Sequence, residues 1–231
     1  MLDIFKRLLL CVLCTVLTVS FFRLEIFATA DMDVVFTKSR EPTKKIALTF
    51  DDGPHPRYTE RILRVLEKYN VKATFFVIGV NIQNYPEPLK KIYAAGHEVG
   101  NHTFHHDNQK DLSSDNALSE MKACEQIIFD TIGTKPTVFR PPRGACNSDV
   151  ILAAQDLGYS VILWSIDTLD WKGTSSGCIV STINNNICGG DIVLMHDYTC
   201  MNNTTSDALE IVIPKLLSQG YQFVTVSELI K

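Results

Sequence analysis

Asp51 and Asp52 stand side by side in Thr49-Phe50-Asp51-Asp52-Gly53-Pro54, at the end of an apolar run. Two adjacent carboxylates at the mouth of a buried strand are costly, because like charges repel and burial disfavours both ions. A metal bound by one of them would relieve that cost and leave the other free to act as a base. The plain alternative is a polar turn, since Asp-Gly-Pro is ordinary turn chemistry. Farther along, His102-Thr103-Phe104-His105-His106 places two histidines four residues apart, so that one helical turn would set both rings on one side. Two histidines and one carboxylate make a facial triad with open coordination positions. His105 reads as a bystander or as an outer neighbour of that group.

Three further segments carry ionisable groups. Phe139-Arg140-Pro141-Pro142-Arg143-Gly144 ends another apolar run. Its prolines stop a strand and stiffen the turn, which can then aim a backbone N–H at an oxyanion. The plain reading is a strand-ending turn with a solvated arginine. Trp164-Ser165-Ile166-Asp167-Thr168-Leu169-Asp170-Trp171 and Asp191-Ile192-Val193-Leu194-Met195-His196-Asp197 follow. A lone His196 is more often structural than catalytic. Its position argues otherwise, because successive strands deliver these groups at their C-terminal ends, where parallel barrels hold their chemistry.

Apolar runs rich in Val, Ile, Phe and Thr predict strands at Ile46–Phe50, Ala73–Gly79, Glu98–Thr103, Val138–Pro141, Ser160–Asp167, Asp191–His196 and Gln222–Val226. Helical spacing predicts helices at Thr59–Tyr69, with Thr59 as N-cap, and at Pro86–Ala95, Ser114–Thr131, Ser148–Leu157, Thr174–Ile187 and Ser206–Leu217. Alternation of this kind predicts an α/β fold with a parallel sheet. The chain is short for an eightfold barrel, so the expectation is a distorted, reduced (β/α) barrel of about seven strands. A doubly wound open sheet is the alternative, weakened by the lack of a glycine-rich phosphate loop after the first strand.

Composition narrows the classes. Of 231 residues 45% are hydrophobic and 21% charged, which describes a folded globular chain rather than a disordered one. The net charge of −4 and the lack of a basic run argue against nucleic acid as a partner. Lys6 and Arg7 precede the uncharged run Leu8–Phe22, and Ala28-Thr29-Ala30 follows. That pattern predicts an export signal or a retained N-terminal anchor over residues 1–30. A short linker at 31–43 and a catalytic domain at 44–231 are expected after it, placed outside the cytoplasmic membrane, extracellular or cell-wall associated. Of the seven cysteines, Cys11 and Cys14 lie in the apolar run, and the others form no CxxC pair. Cys178 and Cys188 could bridge, although most of the remaining thiols read as unpaired fillers.

The five motifs TFDDGP, HTFHH, RPPRG, DTLDW and IVLMH occur in this order from about Lys45 to the C-terminus. In this the chain resembles the polysaccharide deacetylase family, carbohydrate esterase family 4. The resemblance implies a distorted barrel and hydrolysis of N-acetyl groups on a polysaccharide. Asp51 matches the family's catalytic base, and Asp52, His102 and His106 match its ligands for a divalent ion, zinc first, with cobalt or another ion as alternatives. Arg140 matches the arginine that orients the base, and Asp170 the carboxylate that pairs with the general acid, His196. Trp171 and Leu194 match the walls that hold the acetyl methyl group. Arg143 stands where the family commonly has an aromatic residue before the glycine. Its backbone N–H corresponds to an oxyanion donor, and its side chain suits a substrate carboxylate. The family branch acting on muramic acid resembles this chain in RPPRG but usually lacks Pro54. Peptidoglycan is the favoured substrate, chitin oligosaccharides come second and acetylated xylan third. Membrane association would run through the N-terminal segment. A non-catalytic carbohydrate-binding protein would be expected to lack part of this set. A facial-triad iron oxygenase would require a jelly-roll strand pattern in place of this strand-helix alternation.

Overall fold

A computed structural model of the chain describes residues 34–106, 114–198 and 204–231. The expected export signal at 1–30 and Cys200 lie outside the described residues. One compact unit runs from Phe36 to Lys231. Residues 36–43 join it through hydrogen bonds such as Ser39 N to Gly190 O.

The strands are β1 (Val35–Phe36), β2 (Lys45–Gly53), β3 (Thr74–Val77), β4 (Glu98–Asn101), β5 (Val138–Phe139), β6 (Ser160–Ile162), β7 (Ile166–Asp167), β8 (Ile192–His196) and β9 (Gln222–Phe223). The helices are α1 (Tyr58–Lys68), α2 (Gly79–Asn84), α3 (Pro86–Ala94), α4 (Ser114–Ile132), α5 (Ser148–Asp156), α6 (Ser176–Asn186), α7 (Thr205–Ser218) and α8 (Val226–Leu229). The main sheet runs β6-β5-β4-β3-β2-β8-β7, and each of these neighbouring pairs is parallel. β9 pairs with the start of β2. This is the expected α/β architecture of a distorted, reduced barrel.

The predicted strand Ser160–Asp167 is in fact two strands six places apart in the sheet order, β7 at one end and β6 next to Phe36 of β1 at the other, and that division explains the curl. Only Leu163, Trp164 and Ser165 lie between β6 and β7, a stretch reaching about 14 Å at full extension. Seven strands laid flat would separate those two by about 29 Å. The sheet must therefore curl until β6 and β7 come close, and the chain itself crosses the gap.

Alternation along β2 sorts its side chains. Ile46, Leu48 and Phe50 join the large core beneath the helices, with Phe75, Leu66, Met195 and Ile213. Ala47 faces the barrel interior, in a smaller cluster with Phe76, Val138, Ile162, Ile192, Val226 and Leu229. The C-terminal helix α8 thus plugs one end of the barrel, and Val226 N donates to Thr74 Oγ1 at 2.9 Å. Filling that end leaves the opposite one, where β2, β4, β5, β7 and β8 terminate, for a cleft.

Two local expectations are corrected. Thr59 is not the N-cap of α1; Arg57 occupies that position without a side-chain cap, and the Thr59 hydroxyl instead donates to Asp197. Cys178 and Cys188 do not bridge; both are exposed free thiols, while Cys124 is a buried filler whose Sγ approaches Val77 O.

Leu48 lies fully buried in β2, so Leu48→Ala should cost about 2–5 kcal/mol of stability. Urea unfolding checks this, with a lower midpoint at an unchanged slope as the expected result.

Candidate active site

A cavity of about 580 Å³ opens at the C-terminal strand ends. Asp51, Asp52, His102, His106 and His196 line one side, and Arg143, Trp171 and Leu194 help form the rest. Arg140 and Asp170 stand behind this lining, bonded to Asp51 and His196 respectively. Every site residue expected from the sequence is therefore at this one place. Trp164 and Asp167 also line the cavity and were not singled out by sequence reasoning.

Arg140 is wholly buried, and each of its nitrogens is used. Nε donates to Ile162 O at 3.1 Å and Nη2 to Leu163 O at 2.9 Å. Nη1 donates to Thr49 Oγ1 and to Asp51 Oδ1, both at 2.7 Å. The guanidinium also lies 4.2 Å from the Phe76 ring centroid. Burial pulls the Arg140 pKa below its ordinary value, opposed by the neighbouring Asp51 charge. Asp51 is thereby held by Oδ1, while Oδ2 faces His102 Nε2 at 3.7 Å.

Asp52 turns the opposite way from an ordinary strand neighbour. Its φ of 72° is left-handed, and the β2–β3 register shifts between Asp51 and Gly53. A bulge of this kind re-aims a side chain at a strand end. Asn81 of α2 secures it by donating from Nδ2 to Asp52 O at 2.7 Å. Asp52 Oδ1 then lies 3.4 Å from His102 Nε2 and 3.2 Å from His106 Nε2. His102 Nδ1 is 2.7 Å from Arg140 O. A carbonyl only accepts, so Nδ1 is the donor, and Nε2 is the nitrogen turned toward Asp52. Burial pushes the His106 pKa down, assisted by His102 and Arg143 against the nearby carboxylates, and so favours its neutral form. Burial pushes Asp52 up, but the interactions with His102, His196 and His106 outweigh it and hold the carboxyl below its usual value. Asp52 Oδ1 is buried without a hydrogen-bond partner, and one donor atom from each of the three residues lies within 4.8 Å of the others. Lone pairs that converge on an otherwise unsatisfied oxygen fit a divalent cation.

The two histidines do not meet through a helical turn, as their spacing suggested. Residues 102–106 form a loop with left-handed φ at Thr103 (68°) and His106 (59°). Asn101 Oδ1 accepts from Thr103 N, and Thr103 Oγ1 accepts from His106 N. Glu120 of α4 accepts from Phe104 N and His105 N, with His105 Nδ1 a further 2.8 Å contact. The loop, not a helix, brings the rings to 5.0 Å between centroids.

On the neighbouring strand β8, in register with Asp51, His196 is gripped by Asp170. Oδ1 is 2.8 Å from Nδ1, and Oδ2 accepts from His196 N and from Thr205 Oγ1. Burial by itself would lower the imidazole pKa. The hydrogen bond and charge of Asp170, with Asp51 and Asp52, prevail and raise it to about 9. Asp170 is aimed by Leu169, whose left-handed φ of 56° is fixed where its N–H meets Asp167 Oδ1 at 2.8 Å. Arg143 is also left-handed, at φ 57°. The adjoining Gly144 lies so close to Trp164 that a Cβ there would come within 2.9 Å of the ring. Asp197 is a further buried acid at the site, pushed up to about 7 by burial and by the charges of Asp52 and Asp51. Nothing in its spacing marked it.

A curled parallel barrel here carries a cation-ready triad beside an arginine-held carboxylate and a carboxylate-held histidine. Residues 38–162 match the family model described as polysaccharide deacetylase, and the chain belongs to that family. It is 40% identical over 186 residues to the peptidoglycan-N-acetylglucosamine deacetylase PgdA of Listeria monocytogenes, covering 80% of this chain but 39% of that protein. It is 42% identical over 190 residues to the peptidoglycan-N-acetylmuramic acid deacetylase PdaC of Bacillus subtilis, covering 82% of this chain and 39% of the relative. Both relatives are thus much longer than the portion matched. Among solved structures, the Bc1960 peptidoglycan N-acetylglucosamine deacetylase superposes with a TM-score of 0.83 at 33% identity, covering 85% of this chain and 92% of that one. BA3943 of Bacillus anthracis, described as a pseudoenzyme of carbohydrate esterase family 4, gives 0.80 at 34% identity, covering 85% and 69%.

The His196 pKa is raised, so its protonated form stabilises the fold fully below the ordinary value near 6.5, and that contribution fades as pH rises through about 9. Asp170→Asn should drop the imidazole pKa below 6.5, since burial is then opposed only by the more distant carboxylates. An NMR titration of the chelator-treated protein measures this directly.

Proposed function

We propose that the chain is a divalent-metal-dependent N-deacetylase of cell-wall polysaccharide, which removes acetyl groups from peptidoglycan amino sugars and releases acetate. The observation that supports this most is a pair of neighbours in one cavity: Asp51 with Oδ2 turned to the triad, and His196 held protonated by Asp170. Amide hydrolysis needs both a base for water and an acid for the departing amine, because an amide anion leaves poorly.

Asp52, His102 and His106 would hold the ion, zinc first, which when bound supplies Lewis acidity that acidifies water and polarises the amide carbonyl. Asp51 Oδ2 accepts the proton of the attacking water, and Arg140 keeps Oδ1 fixed so that Oδ2 stays on the cavity side. The backbone N–H of Arg143, set by the stiff Pro141-Pro142 turn, meets the developing oxyanion. His196 gives the Nε2 proton to the sugar amine, since Nδ1 is committed to Asp170. Leu194 and Trp171 wall the acetyl methyl group, one buried and the other exposed at the rim. A binding protein without activity would not require this complete set of acid, base and triad.

Peptidoglycan is favoured over chitin oligosaccharides by the activities for which the relatives are named and by Arg143, a cation in the cavity wall suited to the lactyl carboxylate of muramic acid. The Leu8–Phe22 run supports export and action at the cell wall, with membrane association through that segment if it is retained. Among the described residues no helix is long and apolar enough to cross a membrane.

Residues 31–231 loaded with zinc or cobalt should release acetate from intact peptidoglycan faster than from chitin oligosaccharides, with the deacetylated sugar identified by mass spectrometry. Release from chitin alone would overturn the substrate, and release from neither would overturn the activity. Asp51→Asn and His196→Ala should each lower kcat by about 10²–10⁴-fold while metal binding persists. Near-normal turnover in either variant would remove the role given to that residue.

A further inference from the structure

Gly53 follows the metal-ligand candidate Asp52, and its φ is not left-handed, so backbone freedom does not explain a glycine there. Space does. A Cβ on Gly53 would lie 2.2 Å from Asp197 Oδ2, 2.3 Å from Oδ1 and 2.5 Å from Cγ. The Asp197 carboxyl fills the place where the side chain of residue 53 would stand.

That carboxyl is itself anchored from two directions. Thr59, fully buried in the first turn of α1, donates its hydroxyl to Asp197 Oδ2 and accepts from His55 N at 2.8 Å. The Asp197 backbone N–H donates to Asp51 O at 3.2 Å. The turn it rests against is also tied by Ile78 N to Gly53 O at 2.8 Å and by Asn81 to Asp52 O. Asp197 is therefore the buttress on the β8 side of a turn whose β3 side is closed by Ile78 and Asn81.

We infer that Asp197 is a positioning residue for the metal site: seated against Gly53 and held by Thr59, it fixes the Asp51-Asp52-Gly53 turn in the bulged form that aims Asp52 at His102 and His106. It does not touch the ion or the substrate. The inference rests on the metal reading of the preceding section and adds to it a size-complementary pair, Gly53 with Asp197. A mobile turn would leave Asp52 free to swing back toward the ordinary strand direction, where it cannot complete the triad.

The test is a double-mutant cycle read by Co²⁺ titration, with affinity and the visible absorption band of the bound ion as readouts. Asp197→Ala removes the buttress and should weaken Co²⁺ binding about tenfold, as loss of an outer supporting group does. Gly53→Ala should weaken it at least as much, because the new methyl collides with the carboxyl. The double variant should bind no worse than Asp197→Ala alone, since the collision is gone. Strictly additive losses, or single variants with wild-type affinity and spectrum, would overturn the inference. A wild-type protein that bound no Co²⁺ would instead overturn the metal reading, and this inference with it. If the alanine variants do not fold, Thr59→Val decides the matter: it keeps the carboxyl, removes its hydroxyl donor and should weaken Co²⁺ binding several-fold at intact secondary structure, whereas unchanged binding would sink the idea.

Discussion

The Arg140 guanidinium holds one end of this molecule together. A full positive charge with no exposure is unfavourable unless its donors are met and an opposite charge lies beside it. Three neutral acceptors and the Asp51 carboxylate meet that requirement. Two of the acceptors are carbonyls at the end of β6, where the chain leaves that strand to cross to β7. The remaining contacts are on β2, at the centre of the sheet. A single side chain thus ties the closure of the barrel to the orientation of the proposed base. Its own carbonyl extends the link, since Arg140 O accepts from His102 Nδ1 and so orients that ring.

The cleft combines two kinds of control. On the Asp51 and Asp52 side, acceptors are concentrated around one orphaned oxygen, an arrangement that fits a divalent cation. On the His196 side, Asp170 answers the cost of a buried imidazolium. The two sides differ in charge sense while sharing one cavity, which is how a single pH can support a proton acceptor and a proton donor together.

Much of the site was legible because strand ends announce themselves in an alternating sequence. Asp51, His102, Arg140, Asp170 and His196 each follow an apolar run, and a parallel sheet carries such positions to one edge. Less legible was how the groups meet. The four-residue spacing of His102 and His106 suggested a helix, yet left-handed residues and Glu120 make a loop there. Ser160–Asp167 looked like one strand, because a three-residue crossing leaves no composition signal when Leu163 and Trp164 are themselves strand formers. Helix α2 went unread because Gly79–Asn84 is too short to show a period. Thr59 resembled a cap by type, and only the position of Asp197 redirects its hydroxyl.

By itself the sequence determined the strand-helix alternation, the order of the motifs and the chemical types available at each strand end, since these depend on local pattern and residue identity. Tertiary structure alone decided the aim of those groups. The left-handed turn at Asp52, the glycine space taken by Asp197, the closure through residues 163–165 and the burial that sets the His196 pKa all arise from contacts between residues far apart in the chain. Pattern along a chain records which groups are present, whereas directions and local dielectric exist only once distant segments pack against one another.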